Sequence, residues 1–134
     1  MADGVSDSVK DCVFCRIVSG EIPAEVIARS DNDPYAMTIE GAILIRDRSP
    51  LAKQHLLVVA KGHVDDLTDD RYGYAPAYGI LKLAQKYALE HLPGGFRLVF
   101  NTGEHAGQTV KHLHAHILGG EPLVEMGGRR TLGP

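Results

Sequence analysis

The run His112-Leu113-His114-Ala115-His116-Ile117-Leu118-Gly119-Gly120 places three of the chain's seven histidines on alternate positions, with apolar residues between them. Alternation is the period of a β-strand, in which successive side chains point to opposite faces. At a rise of roughly 3.3 Å per residue the three imidazoles would line one face about 6.6 Å apart, while Leu113, Ala115 and Ile117 enter a core. A sheet face that merely tolerates histidine explains one imidazole; three in strict alternation opposite a buried face point to chemistry. Imidazole titrates nearest physiological pH, so such a row can supply nucleophile, proton carrier or metal ligand.

Immediately upstream, Asn101-Thr102-Gly103-Glu104-His105-Ala106-Gly107-Gln108-Thr109-Val110 reads as a loop. Gly103 and Gly107 allow close backbone approach to a ligand, and Gln108 and Thr109 bring an amide and a hydroxyl beside the imidazoles. That combination suits a phosphate oxygen. Cys12-Val13-Phe14-Cys15 is the second constellation, since two thiolates at this spacing can hold one zinc, which needs two further ligands. His55, His63, His105 and His112 are candidates, and the alternative is a reduced cysteine pair in a small core. His91, near the end of a helix, reads as structural. His63 reads as a turn residue, and Asp65, Asp66, Asp69 and Asp70 as a solvated acidic loop.

The chain of 134 residues is long enough for one domain with its own core. Hydrophobic residues make up 44% and charged residues 23%, an ordinary globular composition, and the net charge of -3 argues against non-specific nucleic-acid binding. No apolar run approaches the ~20 residues of a membrane span, and no secretion-type leader is evident, so a cytoplasmic protein without membrane partners is expected.

Residues 1–10 read as a disordered lead-in. Asp11 would cap a short helical turn carrying Cys12, Phe14, Cys15 and Ile17. Extended segments follow at Glu25–Arg29, Tyr35–Ile39, Ile43–Asp47 and His55–Ala60, with turn chemistry at Asp31–Pro34. Pro76 opens a helix whose apolar spacing runs to Leu92, where Pro93-Gly94-Gly95 stops it. Phe96–Asn101 and the histidine run complete the strands. The order predicts an α+β fold, a largely antiparallel sheet with a long helix packed on one face. Residues 11–120 would form the domain and residues 121–134 a Gly-rich tail.

The histidine run, with Gly95–Gly103, Ala106–Val110 and the segment Asp47–His63, resembles the histidine triad family. The ending Ile117-Leu118-Gly119-Gly120 is similar to its Hint branch. The resemblance covers about Asp11 to Gly120; residues 31–41 stand out as an insertion, Arg46-Asp47-Arg48 is unusually charged, and the tail lacks the branch's tryptophan ending. It implies purine nucleoside phosphoramidase activity, hydrolysis of the P–N bond joining AMP to an amine. His114 would be the nucleophile on the α-phosphorus and His116 a phosphate ligand. Thr109 and Gln108 would hold the phosphate and assist the leaving group, Asn101 would position the loop, and Asp47 would meet the ribose. The resemblance further implies a structural zinc on Cys12, Cys15, His55 and His112, and a homodimer. The alternatives are a dinucleoside polyphosphate or adenylyl-sulfate hydrolase, and a non-catalytic nucleotide-binding adaptor.

Overall fold

The computed structural model describes residues 11–30 and 38–125. The lead-in, the turn at Asp31–Pro34 and the end of the tail fall outside the described residues. In chain order the elements are α1 (Val13–Val18), β1 (Val26–Arg29), β2 (Ala42–Arg46), β3 (Gln54–Ala60), α2 (Ala75–His91), β4 (Phe96–Val99), a 3-10 turn at Glu104–Ala106, and β5 (His114–Gly119). Of the strand expected at Tyr35–Ile39, only residues 38 and 39 are described, and neither is in a strand.

The strands form one sheet in the order β1-β2-β3-β5-β4, with every neighbouring pair antiparallel. β3 is therefore central, and its burial is nearly complete on both faces. This explains its continuous apolar sequence, which alternation alone would not produce. One face packs Leu44, Leu56, Val58, Ala115 and Ile117 against Ile80, Leu83, Ala84 and Ala88 of α2. The other packs Ile43, Ile45, Leu57 and Val59 against Phe14, Cys15 and Val18 of α1. The long helix thus covers one face, as expected, and α1 closes part of the other.

Two local details position the site. The cap of α1 is Cys12 rather than Asp11: its Sγ accepts the backbone N–H of Cys15 at 3.4 Å. A thiolate or thiol can cap in this way because the first-turn amides of any helix lack internal partners. In α2, Pro76 sits in the first turn where its missing N–H costs nothing. Among the described residues no helix is long and apolar enough to cross a membrane.

Candidate active site

β5 has the alternation that its sequence requires: Ala115 and Ile117 are buried, His114 and His116 half-buried on the opposite face. Leu113 joins the α2-side core as expected. The rings of His114 and His116 lie 5.4 Å apart, and His112, one residue pair earlier, is fully buried.

Hydrogen-bond partners fix which nitrogen of each ring carries the proton. His114 Nδ1–H donates to the His112 carbonyl at 2.7 Å, so Nε2 keeps its lone pair. Phe14 meets the same ring edge-on at 4.9 Å and limits its rotation. His55 Nδ1 accepts the Leu51 N–H at 3.0 Å, which leaves the His55 proton on Nε2; that N–H donates to His116 Nδ1 at 2.9 Å. His116 must then carry its proton on Nε2. The face therefore presents a bare nitrogen on His114 beside an N–H on His116. Burial holds both rings neutral: it lowers His114, against the bond to the His112 carbonyl, and lowers His116 to about 4, helped by the charges of His114 and His55.

The second constellation is assembled with one correction. Cys12, Cys15, His63 and His112 converge, all four buried, with their ligand atoms within 4.8 Å of one another. His55, expected as the fourth member, belongs instead with Asp47 and His116. The antiparallel register is the reason. His55, second residue of β3, pairs with Leu118 at the far end of β5, whereas the end of β3 adjoins the start of β5, just after His112. His63, just past that end, is the histidine within reach.

The four atoms suit a metal ion. His112 Nε2–H donates to the Ala60 carbonyl at 2.6 Å and His63 Nε2–H to Asp65 Oδ1 at 3.1 Å, so both Nδ1 atoms are unprotonated. They face each other at 3.2 Å, with Cys12 Sγ 3.3 Å from His112 and Cys15 Sγ 3.2 Å from His63. A tetrahedral zinc with bonds of roughly 2.0–2.3 Å separates its ligand atoms by roughly 3.3–3.8 Å. Four electron-pair donors thus point at one centre at nearly that spacing. Without a cation, burial and the neighbouring Cys12 push the Cys15 thiol up to about 12; a bound cation reverses that preference.

A cavity of about 730 Å³ adjoins the histidine face, lined by Phe14, Ile17, Ile22, Ile45, Asp47 and Arg48 among others. It falls within the usual size range of small-molecule sites, roughly 300–1,000 Å³. Phe14 and Asp47 join it to the imidazoles, since Asp47 Oδ2 lies 3.4 Å from His55 Nε2. Asp47 Oδ1 also accepts the Ser49 N–H at 2.7 Å. In the loop, Gly103 and Gly107 adopt positive φ, as their type permits. Thr109 is exposed and Asn101 half-buried, and neither side chain has a hydrogen-bond partner among the described residues. Gln108 differs from expectation, because its amide already binds three backbone groups, of Asp65, Val110 and Gly103. It braces the loop and has no free donor to offer a phosphate. His105 is exposed on the 3-10 turn, and His91 is exposed and lies against Tyr87.

The family model described as scavenger mRNA decapping enzyme C-terminal binding matches residues 11–130. A purine nucleoside phosphoramidase of Escherichia coli K12 is 31% identical over 120 residues, covering 87% of this chain and 93% of the relative. A HIT family hydrolase from Legionella pneumophila Philadelphia 1 superposes with TM-score 0.72 at 37% identity, covering 85% of this chain and 96% of that one. A zinc-bound histidine triad family protein from Mycobacterium smegmatis superposes with TM-score 0.68 at 32% identity, covering 91% and 84%. With the alternating histidines on a half-buried sheet face, these matches establish that the chain belongs to the histidine triad family.

Proposed function

We propose that this chain is a nucleoside phosphoramidase, hydrolysing the P–N bond of purine nucleoside 5′-phosphoramidates. The observation that carries the reading is the pair of ring atoms on the β5 face: a neutral, unprotonated His114 Nε2 beside the His116 Nε2–H. The first atom is a nucleophile and the second is a donor for a phosphate oxygen. The similarity to a named phosphoramidase supports the substrate class.

In this mechanism the nucleoside occupies the cavity beside Phe14, with its ribose toward Asp47. His114 Nε2 bonds to the α-phosphorus as the P–N bond breaks, and the leaving nitrogen takes a proton from solvent water as it departs, a proton that the hydrolytic water of the next step returns. Water then cleaves the nucleotidyl–imidazole bond to release the nucleoside monophosphate, so two easier steps replace one hard one. The His114 Nδ1–H to His112 carbonyl bond holds the ring in line and stabilises the positive charge that develops on it. His116 Nε2–H and the free hydroxyl of Thr109 hold phosphate oxygens, Gln108 keeps the loop in place, and the Asn101 amide, unpartnered among the described residues, is left to meet the substrate.

Zinc bound by Cys12, Cys15, His63 and His112 would supply structural rigidity at the strand start that carries His114. The zinc-bound relative supports this choice of ion. The protein acts as a homodimer in the cytoplasm. An apolar groove of about 590 Å³ along α2 and the edge strand β4, lined by Leu81, Leu89 and Phe96, favours pairing there.

Wild-type protein supplied with adenosine 5′-phosphoramidate and, separately, a diadenosine polyphosphate distinguishes the reaction classes. Faster turnover of the P–N substrate is expected. Preference for P–O–P cleavage would reassign the leaving group, and AMP binding without turnover of either would make the chain a binding module.

A further inference from the structure

The metal cluster and the loop ahead of β5 meet at one residue that the mechanism does not use. Asp65 Oδ1 accepts the Nε2–H of His63 at 3.1 Å, while its backbone carbonyl accepts Gln108 Nε2 at 2.8 Å. Gln108 then ties the loop to itself: Nε2 also donates to the Val110 carbonyl at 3.0 Å, and Oε1 accepts the Gly103 N–H at 2.9 Å. Asp65 is anchored in turn, because its N–H donates to Asp69 Oδ2 at 2.9 Å and Arg71 grips both Asp69 oxygens at 3.0 and 2.7 Å. A carboxylate on the far nitrogen of a ligating histidine fixes that ring's tautomer and direction. Among the described residues, the same residue also carries the only backbone carbonyl outside the loop and its flank that Gln108 binds.

We propose that Asp65 is a positioning residue that couples occupation of the Cys12–Cys15–His63–His112 cluster to the order of the loop between Asn101 and Thr109. With the metal bound, the His63 ring is fixed, its N–H holds the Asp65 carboxylate, and the Asp65 carbonyl is held where Gln108 reaches it. The metal then sets substrate affinity without touching substrate. That last consequence rests on the proposed phosphate-holding role of the loop; the coupling itself does not.

The test uses zinc-loaded full-length protein as wild type, Asp65→Ala and Asp65→Asn. Zinc release to a chelator and amide exchange at Gly103 are followed, with β3 amides as the reference for intact folding. Losing the outer partner of a ligating histidine lowers metal affinity by roughly 10–100-fold, so Asp65→Ala should release zinc correspondingly faster. Asparagine keeps the acceptor and should recover part of the loss. In the wild type, zinc removal should accelerate Gly103 exchange while β3 stays protected, and in Asp65→Ala that exchange should be fast with or without zinc. With a nucleoside phosphoramidate, Asp65→Ala should raise KM several-fold with kcat little changed. Equal zinc retention in all three proteins, or Gly103 exchange indifferent to zinc in the wild type, overturns the coupling. Absence of turnover in every protein would overturn the phosphoramidase reading and leave the exchange result to decide the coupling.

Discussion

At His116, burial is the largest influence and depresses the ring to about 4 from an ordinary value of 6.5. The unfolded chain therefore binds more protons than the folded one between those values, and stability falls as pH drops from about 6.5 toward 4. Denaturation midpoints measured from pH 7 to 4 should show this loss, and His116→Gln should reduce it, with the remainder carried by His55 and His114, whose rings burial lowers as well. A second residue-scale prediction separates two histidines. His63→Ala should purify without the roughly one zinc per chain of a four-ligand site, whereas His55→Ala should retain it; metal analysis of both variants decides. The sequence showed the nucleophile candidates because alternation is a one-dimensional signal. It offered His63 as a candidate ligand but did not separate it from His55, because that choice needs the β3–β5 register, in which Val59 faces His114 and His55 faces Leu118. It hid the role of Gln108 for a similar reason: its three partners are spread from Asp65 to Val110.

Among the elements, α2 was legible from its period and stop signal and β3 from its unbroken apolar run, and both ends of α2 follow from Pro76 and Pro93-Gly94. The way α2 docks was not legible, and it depends on Gly79. A Cβ at that position would strike the Glu40 carbonyl, which is backbone and cannot turn aside. Overpacking costs about 1–3 kcal/mol, which exceeds the ~1 kcal/mol that alanine gains over glycine inside a helix. Gly79→Ala should therefore destabilise the fold in urea, although an exposed helical glycine would respond in the opposite sense. Leu56, fully buried between β3 and α2, carries the matching core prediction. Leu56→Ala should cost about 2–5 kcal/mol by the same measurement. The acidic loop after β3 reads as solvated in one dimension, but three of its carboxylates are structural: Asp65 meets His63, Asp66 accepts the Thr68 N–H and hydroxyl, and Asp69 meets the Asp65 amide and Arg71.

For the whole molecule, the cluster joins residues 12 and 15, near the start of the described chain, to residues 63 and 112. A closed metal site of this kind contributes its binding free energy to folding. Chelation should lower the thermal midpoint, and returning zinc should restore it; an unchanged midpoint would remove the structural role. The exposed face of α2 predicts association on the same scale. Leu89 is 78% exposed and Phe96 42% exposed along one groove with β4. If the proposed pairing uses this groove, Leu89→Glu should sediment as a monomer where the wild type sediments as a dimer, since a charge at a buried contact leaves an unpaired ion. A wild type that sediments as a monomer would contradict the pairing.

The proposed reaction turns on attack of His114 Nε2 on phosphorus. Its most direct test is the turnover of adenosine 5′-phosphoramidate by wild type and His114→Ala, with zinc content and AMP binding measured on the same preparations. Turnover is expected in the wild type and none detectable in the variant, with zinc and AMP still bound. Wild-type-like turnover by His114→Ala would contradict it.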